Sequence, residues 1–141
     1  MSDEVGHLGR EVGLLIRRLR SWAGSSWDVP VESGLTRADR TRRLLDELAA
    51  LGERIGAGAP AGARPPRLAP HALPDQLAVL AEDVLAAIAA AGPGQPPTEQ
   101  PPDRETLARA ALAQATLADA LAAVSGTRAD LEGGGFGFRV R

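Results

Sequence analysis

The chain has 141 residues, a formal net charge of −2, sixteen basic residues that are all arginine, and no cysteine. The lack of cysteine excludes disulfides, thiolate metal sites and cysteine nucleophiles, and the slight negative charge argues against nucleic acid as a partner, since such proteins usually carry a large positive excess. The acidic start Met1-Ser2-Asp3-Glu4 and the absence of an apolar run near 20 residues predict a cytoplasmic protein without a membrane span.

The first of four proline-free segments predicts a helix over about residues 3–22. Its apolar residues alternate steps of three and four, which places them on one stripe. They are Val5, Leu8, Val12, Leu15, Leu19 and Trp22. Gly6, Gly9 and Gly13 share another face, where they indicate close approach of helix 4 or of a second subunit, or only a glycine-rich composition.

The second segment predicts a helix from Arg37 to Ile55. Thr36 and Asp39 resemble a capping box with Asp in place of Glu, and Gly56 is a suitable helix stop. Between this helix and the next, residues 57–70 contain little except Ala, Gly, Pro and Arg, which predicts a mobile or extended linker.

The last two segments predict helix 3 from Pro74 and helix 4 over about residues 103–125. In helix 4 the expected buried stripe again alternates steps of three and four. It consists of Leu107, Ala110, Gln114, Leu117, Leu121 and Val124. Gln114 within this stripe indicates that the face is partly solvated.

Four helices of similar length predict an all-α four-helix bundle. An antiparallel arrangement is favoured, but the Pro- and Gly-rich connections are long for such a bundle, so a crossover topology stays open. We expect one bundle domain over residues 1–131, followed by a Gly-rich spacer and an extended C-terminal tail over residues 132–141.

The tail is the first candidate interaction site, because both phenylalanines of the chain lie in it. In an extended strand Phe136, Phe138 and Val140 face one way, as in a peptide that adds to the edge of a partner's sheet. The alternative is a tail that folds back on its own bundle or frays. The expected partner-binding residues are Phe136, Phe138, Arg139, Val140 and Arg141.

An arginine-rich bundle end is the second candidate, because the end of helix 1 and the start of helix 2 meet there if they run antiparallel. Guanidinium groups bind phosphate and carboxylate bidentately. The expected anion-binding residues are Arg17, Arg20, Arg37, Arg40 and Arg43. The alternative is that these arginines satisfy helix dipoles and pair with acids of their own helices.

No catalytic or metal site is expected. Glu4, His7 and Glu11 have a spacing used by di-metal bundles, but the second histidine, His71, has no matching acid. The chain has neither lysine nor tyrosine, and no serine has a histidine at helical spacing, so an enzyme is disfavoured without being excluded. We expect no cofactor.

The sequence therefore favours a non-catalytic interaction or adaptor protein that docks another protein, or a second copy of itself, through its tail and one helix face. One alternative is a regulator or small enzyme that binds an anionic ligand or phosphate at the arginine-rich end. Another is a subunit of a hetero-complex whose apolar helix stripe is completed by a second protein.

Overall fold

Four α-helices form a bundle in the computed structural model of the protein, which describes residues 2–56, 62, 64–91, 101 and 103–134. No strand occurs among these residues, and one isolated bridge joins Pro30 to Thr36. The all-α four-helix prediction is confirmed. The helices are α1 Ser2–Arg20, α2 Arg37–Ile55, α3 Leu73–Ala91 and α4 Arg104–Gly134, with short 3₁₀ helices at Gly24–Asp28 and Pro70–Ala72.

Both ends of α2 follow from local chemistry. The Thr36 hydroxyl accepts a hydrogen bond from the Asp39 backbone N–H at 3.1 Å, which satisfies one of the donors left free in the first turn. Gly56 has φ = 81° and donates its N–H to Glu53, as glycine does at helix ends. The predicted bounds of this helix are confirmed.

A single apolar core joins the four helices. Its largest fully buried side chains are leucines and other aliphatics that come from every helix: Leu15, Leu19, Leu44, Leu45, Leu48, Leu73, Leu77, Ile88, Leu117, Val124 and Leu131. Each stabilises the fold by about 1.5–3 kcal/mol relative to leaving it in water. The core therefore needs contributions from all four helices.

The observed α4 differs from the expected helix in length and in rotation. It continues nine residues beyond the predicted end near residue 125, so the predicted spacer begins inside its last turn. Leu107 is 56% exposed and Gln114 is exposed, whereas Ala113, Ala120 and Leu131 are buried. The buried face of α4 is therefore rotated relative to the expected stripe. The sequence did not predict this rotation, because alanines lie on every side of the helix and no single side is clearly the most apolar.

Side-chain contacts show that α1 and α4 run in the same direction. Gln114 Nε2 donates to Glu4 at 2.8 Å near the start of α1, and Arg18 lies 3.7 Å from Glu132 near its end. Glu11 bonds Arg128 between these two points. The helix lengths had favoured an antiparallel arrangement of neighbouring helices. The parallel pair α1 and α4 departs from that expectation.

α2 runs opposite to α4, since Arg40 pairs with Asp130 and Arg54 pairs with Asp119. Before α3 begins, residues 64–69 lie along α2. Within residues 64–69, Arg67 pairs with Asp46 at 2.8 Å, and the Leu68 carbonyl accepts from Arg42 at 3.0 Å. This segment is a crossover, the topology that the long connections had left open.

The glycines of α1 give a stability prediction. A Cβ added to Gly9 or Gly13 would meet no atom within 4 Å among the described residues. The close approach of α4 to these glycines, one of the interpretations of the sequence, is therefore absent there. Because Gly costs up to about 1 kcal/mol relative to Ala in a helix, Gly13→Ala should raise the free energy of unfolding by about 0.5–1 kcal/mol, measured by urea titration.

Gly56→Ala is the matched control, because φ = 81° disfavours a side chain there. We expect that substitution to lower stability by about 1 kcal/mol. A loss of stability at Gly13 would contradict the open surroundings of that residue. A second subunit packed on this face would show itself as weaker association of Gly13→Ala.

Candidate functional site

The arginine-rich end of the bundle contains two buried arginines rather than an open row of five. Arg37 and Arg40 are 7% and 9% exposed, whereas Arg17, Arg20 and Arg43 lie at the surface. The five residues predicted to bind an anion therefore do not form one accessible group.

Arg37 stacks on Trp22, which in turn contacts Trp27. Its guanidinium carbon lies 4.2 Å from the centre of the Trp22 ring, and Trp22 meets Trp27 edge-to-face with centroids 5.2 Å apart. Arg37 donates to the Ser26 carbonyl at 3.1 Å, while burial, with Arg18 nearby, lowers its pKa. This cation–π cluster lies at the end of the bundle where α1 ends and α2 begins.

Arg40 forms a mostly buried ion pair with Asp130. Arg40 Nε lies 2.8 Å from Asp130 Oδ2, with 11% and 12% of the two side chains exposed, and Ser33 N donates to Asp130 at 2.9 Å. Burial alone would raise the pKa of the Asp130 carboxyl, but the hydrogen bonds from Ser33 and the Arg40 charge outweigh it and lower that pKa. These contacts fasten α4 to the start of α2.

The three surface arginines of the predicted group have separate surroundings. Arg20 pairs with Asp75 at 3.2 Å, and Arg43 pairs with Glu47 of its own helix at 3.4 Å. Arg17 has no acidic partner among the described residues, and it lines a cavity with Arg18 and Arg128, which sequence reasoning had not combined.

We name this depression the α1–α4 cavity, because it lies between the last turns of those helices. It has a volume of about 350 Å³ and is lined by Leu14, Arg17, Arg18, Ser21, Arg128 and Glu132. A second cavity, of about 460 Å³, lies beside α2 and is lined by Leu35, Asp39, Arg42, Arg43, Asp46 and Arg67. Every arginine of the second cavity has an acidic partner.

The exposed side of α4, here called the outer face, is uncharged over six turns. Its residues alternate steps of three and four and are all solvent-exposed: Ala108, Ala111, Ala115, Ala118, Ala122, Ser125 and Ala129. Arg104, one step of four before Ala108, is exposed at the start of this face. Farther along, Arg109 pairs with Glu105 and Asp119 pairs with Arg54. The alanine spacing was visible in the sequence, but the expected stripe was assigned to the neighbouring residues.

Among the described residues, α4 is also the one helix long and apolar enough to cross a membrane. Only 28% of its most apolar 18-residue window is buried in the bundle. Length and composition alone do not place a helix in a membrane, since helices that pack in a core or against a partner pass the same test.

The tail residues Phe136, Phe138, Arg139, Val140 and Arg141 lie outside the described residues.

Of the candidate metal ligands, Glu4 accepts a hydrogen bond from Gln114, and Glu11 accepts one from Arg128. No group of three or more His, Asp or Glu suited to a metal ion occurs in the part of the chain that the structure describes.

The architecture defines the class of protein as an all-α four-helix bundle with one crossover connection. Comparisons with protein-family models, with curated proteins and with solved structures give no match to this chain.

Proposed function

We propose that the chain is a non-catalytic interaction protein that binds another protein through the outer face of α4. The tail, with Phe136, Phe138, Arg139, Val140 and Arg141, would supply a second contact. The observation that supports this function is that the 31-residue α4 contains an apolar 18-residue window, most of which its own bundle leaves unburied.

The chemistry of the outer face suits a helical partner. Surface helices of soluble proteins normally present charged or polar residues to water, whereas this face presents six alanines and one serine. Small side chains let a second helix approach closely, and their alternating spacing is that of a coiled-coil seam. An apolar helix packed between Ala108 and Ala129 would cover the alanines and leave the ion pairs of Arg109 and Asp119 beside them intact.

A second copy of the chain is the alternative occupant. The face would then be shared symmetrically, since the same patch on each subunit would meet its equivalent. The expected docking of the tail as an added strand needs a sheet edge, and no strand occurs among the described residues of this chain. We therefore favour a different protein that contacts both the outer face and the tail.

The test is a pair of matched substitutions in the full-length chain. A photo-crosslinking amino acid at Ala118 first identifies the bound protein, and the affinity for that purified protein is then measured. We expect Ala118→Arg to weaken binding at least about tenfold, because an arginine inserted in a close helix contact is over-packed. Thermal stability should stay unchanged, since Ala118 is exposed.

Ala86→Arg on the exposed side of α3 is the control, because it adds the same side chain at another exposed alanine. We expect it to change affinity less than about twofold. Equal losses from both substitutions, or no crosslinked protein from position 118, would contradict the proposed function. A crosslink between two copies of the chain would identify the partner as the chain itself.

A further inference from the structure

The α1–α4 cavity contains more positive charge than its own acids neutralise. Arg128 is held by Glu11 at 2.6 Å and Glu132 at 3.4 Å. The acid nearest to Arg18 is Glu132 at 3.7 Å, beyond hydrogen-bonding distance, and Arg17 has no acidic partner among the described residues. Two of the three arginines can therefore turn toward a ligand without breaking a short ion pair.

The charge balance stays positive when the surroundings are included. Three lining arginines against Glu11 and Glu132 leave one positive charge, and Arg37, close enough to Arg18 for their charges to repel, adds a second. The carboxyl-terminal ends of α1 and α4 both lie here and contribute roughly half a negative charge each. About one positive charge remains, so the cavity attracts anions.

From these contacts we propose that the α1–α4 cavity binds a small phosphate-bearing anion, held mainly by Arg17 and Arg18 with Arg128 as a third contact. Guanidinium groups present paired N–H donors that match the geometry of phosphate oxygens. The volume of about 350 Å³ lies at the lower end of the range of small-ligand pockets, about 300–1,000 Å³, so the depression has room for a small phosphate-bearing anion.

Two further observations favour this cavity and this class of ligand. In the larger cavity beside α2 each arginine has an acidic partner, and Arg42 and Arg67 hydrogen-bond theirs, so an anion there would have to compete with carboxylates. The net charge of −2 disfavours a long nucleic acid, which needs a wide positive surface.

The experiment titrates inorganic pyrophosphate into the full-length chain and follows heat and tryptophan fluorescence. Trp22 and Trp27 are the only tryptophans, and Trp22 contacts Arg37 beside Arg18, so fluorescence reports on this end of the bundle. We expect saturable binding that weakens at high salt. The double substitution Arg17→Gln with Arg18→Gln should weaken it at least about tenfold, because charge-assisted hydrogen bonds are lost.

Two single substitutions make the result specific to the cavity. Arg10→Gln removes the same charge from α1 outside the cavity and should change affinity less than about twofold. Glu132→Gln removes the one lining carboxylate and should strengthen binding severalfold. The proposal is overturned if binding is not saturable, if Arg10→Gln weakens it as much as the double substitution, or if a single-stranded oligonucleotide binds more tightly than pyrophosphate.

Discussion

Asp130→Ala should lower the free energy of unfolding by about 3 kcal/mol, because it leaves Arg40 buried without its carboxylate and Ser33 N–H without its acceptor. We place the cost at the lower end of the range for buried pairs, since about a tenth of each side chain remains exposed. Urea unfolding followed by circular dichroism measures it.

Asp119→Ala is the matched control, since it removes the other aspartate that joins α4 to an arginine of α2. That pair is 2.6 Å long but about half exposed, so its loss should cost less than about 1 kcal/mol. Equal costs at the two positions would show that burial does not distinguish the pairs.

The Asp130 contribution should also depend on pH. Its pKa is lowered in the folded chain, so the ion pair stabilises fully above the unfolded value near 3.8 and is lost as pH falls through the folded value. The stability difference between the native chain and Asp130→Ala should therefore shrink below about pH 4. A constant difference down to pH 2 would contradict an ionised Asp130.

Leu117→Ala is expected to cost about 2–5 kcal/mol, because this fully buried side chain leaves a cavity among four helices. Leu107→Ala on the same helix should cost less than about 0.5 kcal/mol, because Leu107 is 56% exposed. Thermal and urea unfolding of the two variants measure the difference directly.

The two leucines test the rotation of α4. The sequence pattern had placed both on one buried stripe, whereas the structure separates them. Comparable losses of unfolding free energy at the two positions would indicate that both leucines are buried, as the sequence pattern had predicted. The outer face on which the proposed function depends would then be contradicted.

The contrast between α2 and α4 explains how much of the fold the sequence could predict. Residues near each end specify α2, since Thr36 caps it and Gly56 stops it, and its leucines point one way. α4 has alanine on nearly every side, so its rotation is set by packing against the other helices. Near its C-terminal end, Asp130 bonds Ser33 and Arg40, which are far away in the chain.

The sequence predicted that arginines gather at one end of the bundle, but it did not predict which acidic residues pair with them. The concentration of arginines at one bundle end followed from helix order, yet which of them remain available depends on acids from other helices. Asp75 forms an ion pair with Arg20, and Asp130 forms one with Arg40. Arg128 of α4 lines the α1–α4 cavity together with Arg17 and Arg18. Contacts across that many residues cannot be assigned from one sequence alone.

The path of the chain affects how the protein can reach its native state. Consecutive α1 and α2 lie across the bundle from one another and pack instead on α3 and α4. Among the described helices, α3 and α4 are the one consecutive pair that packs together without the crossover segment between them. Loop closure over long separations must therefore precede most of the stabilising contacts, so this helical chain should fold more slowly than bundles built from successive hairpins.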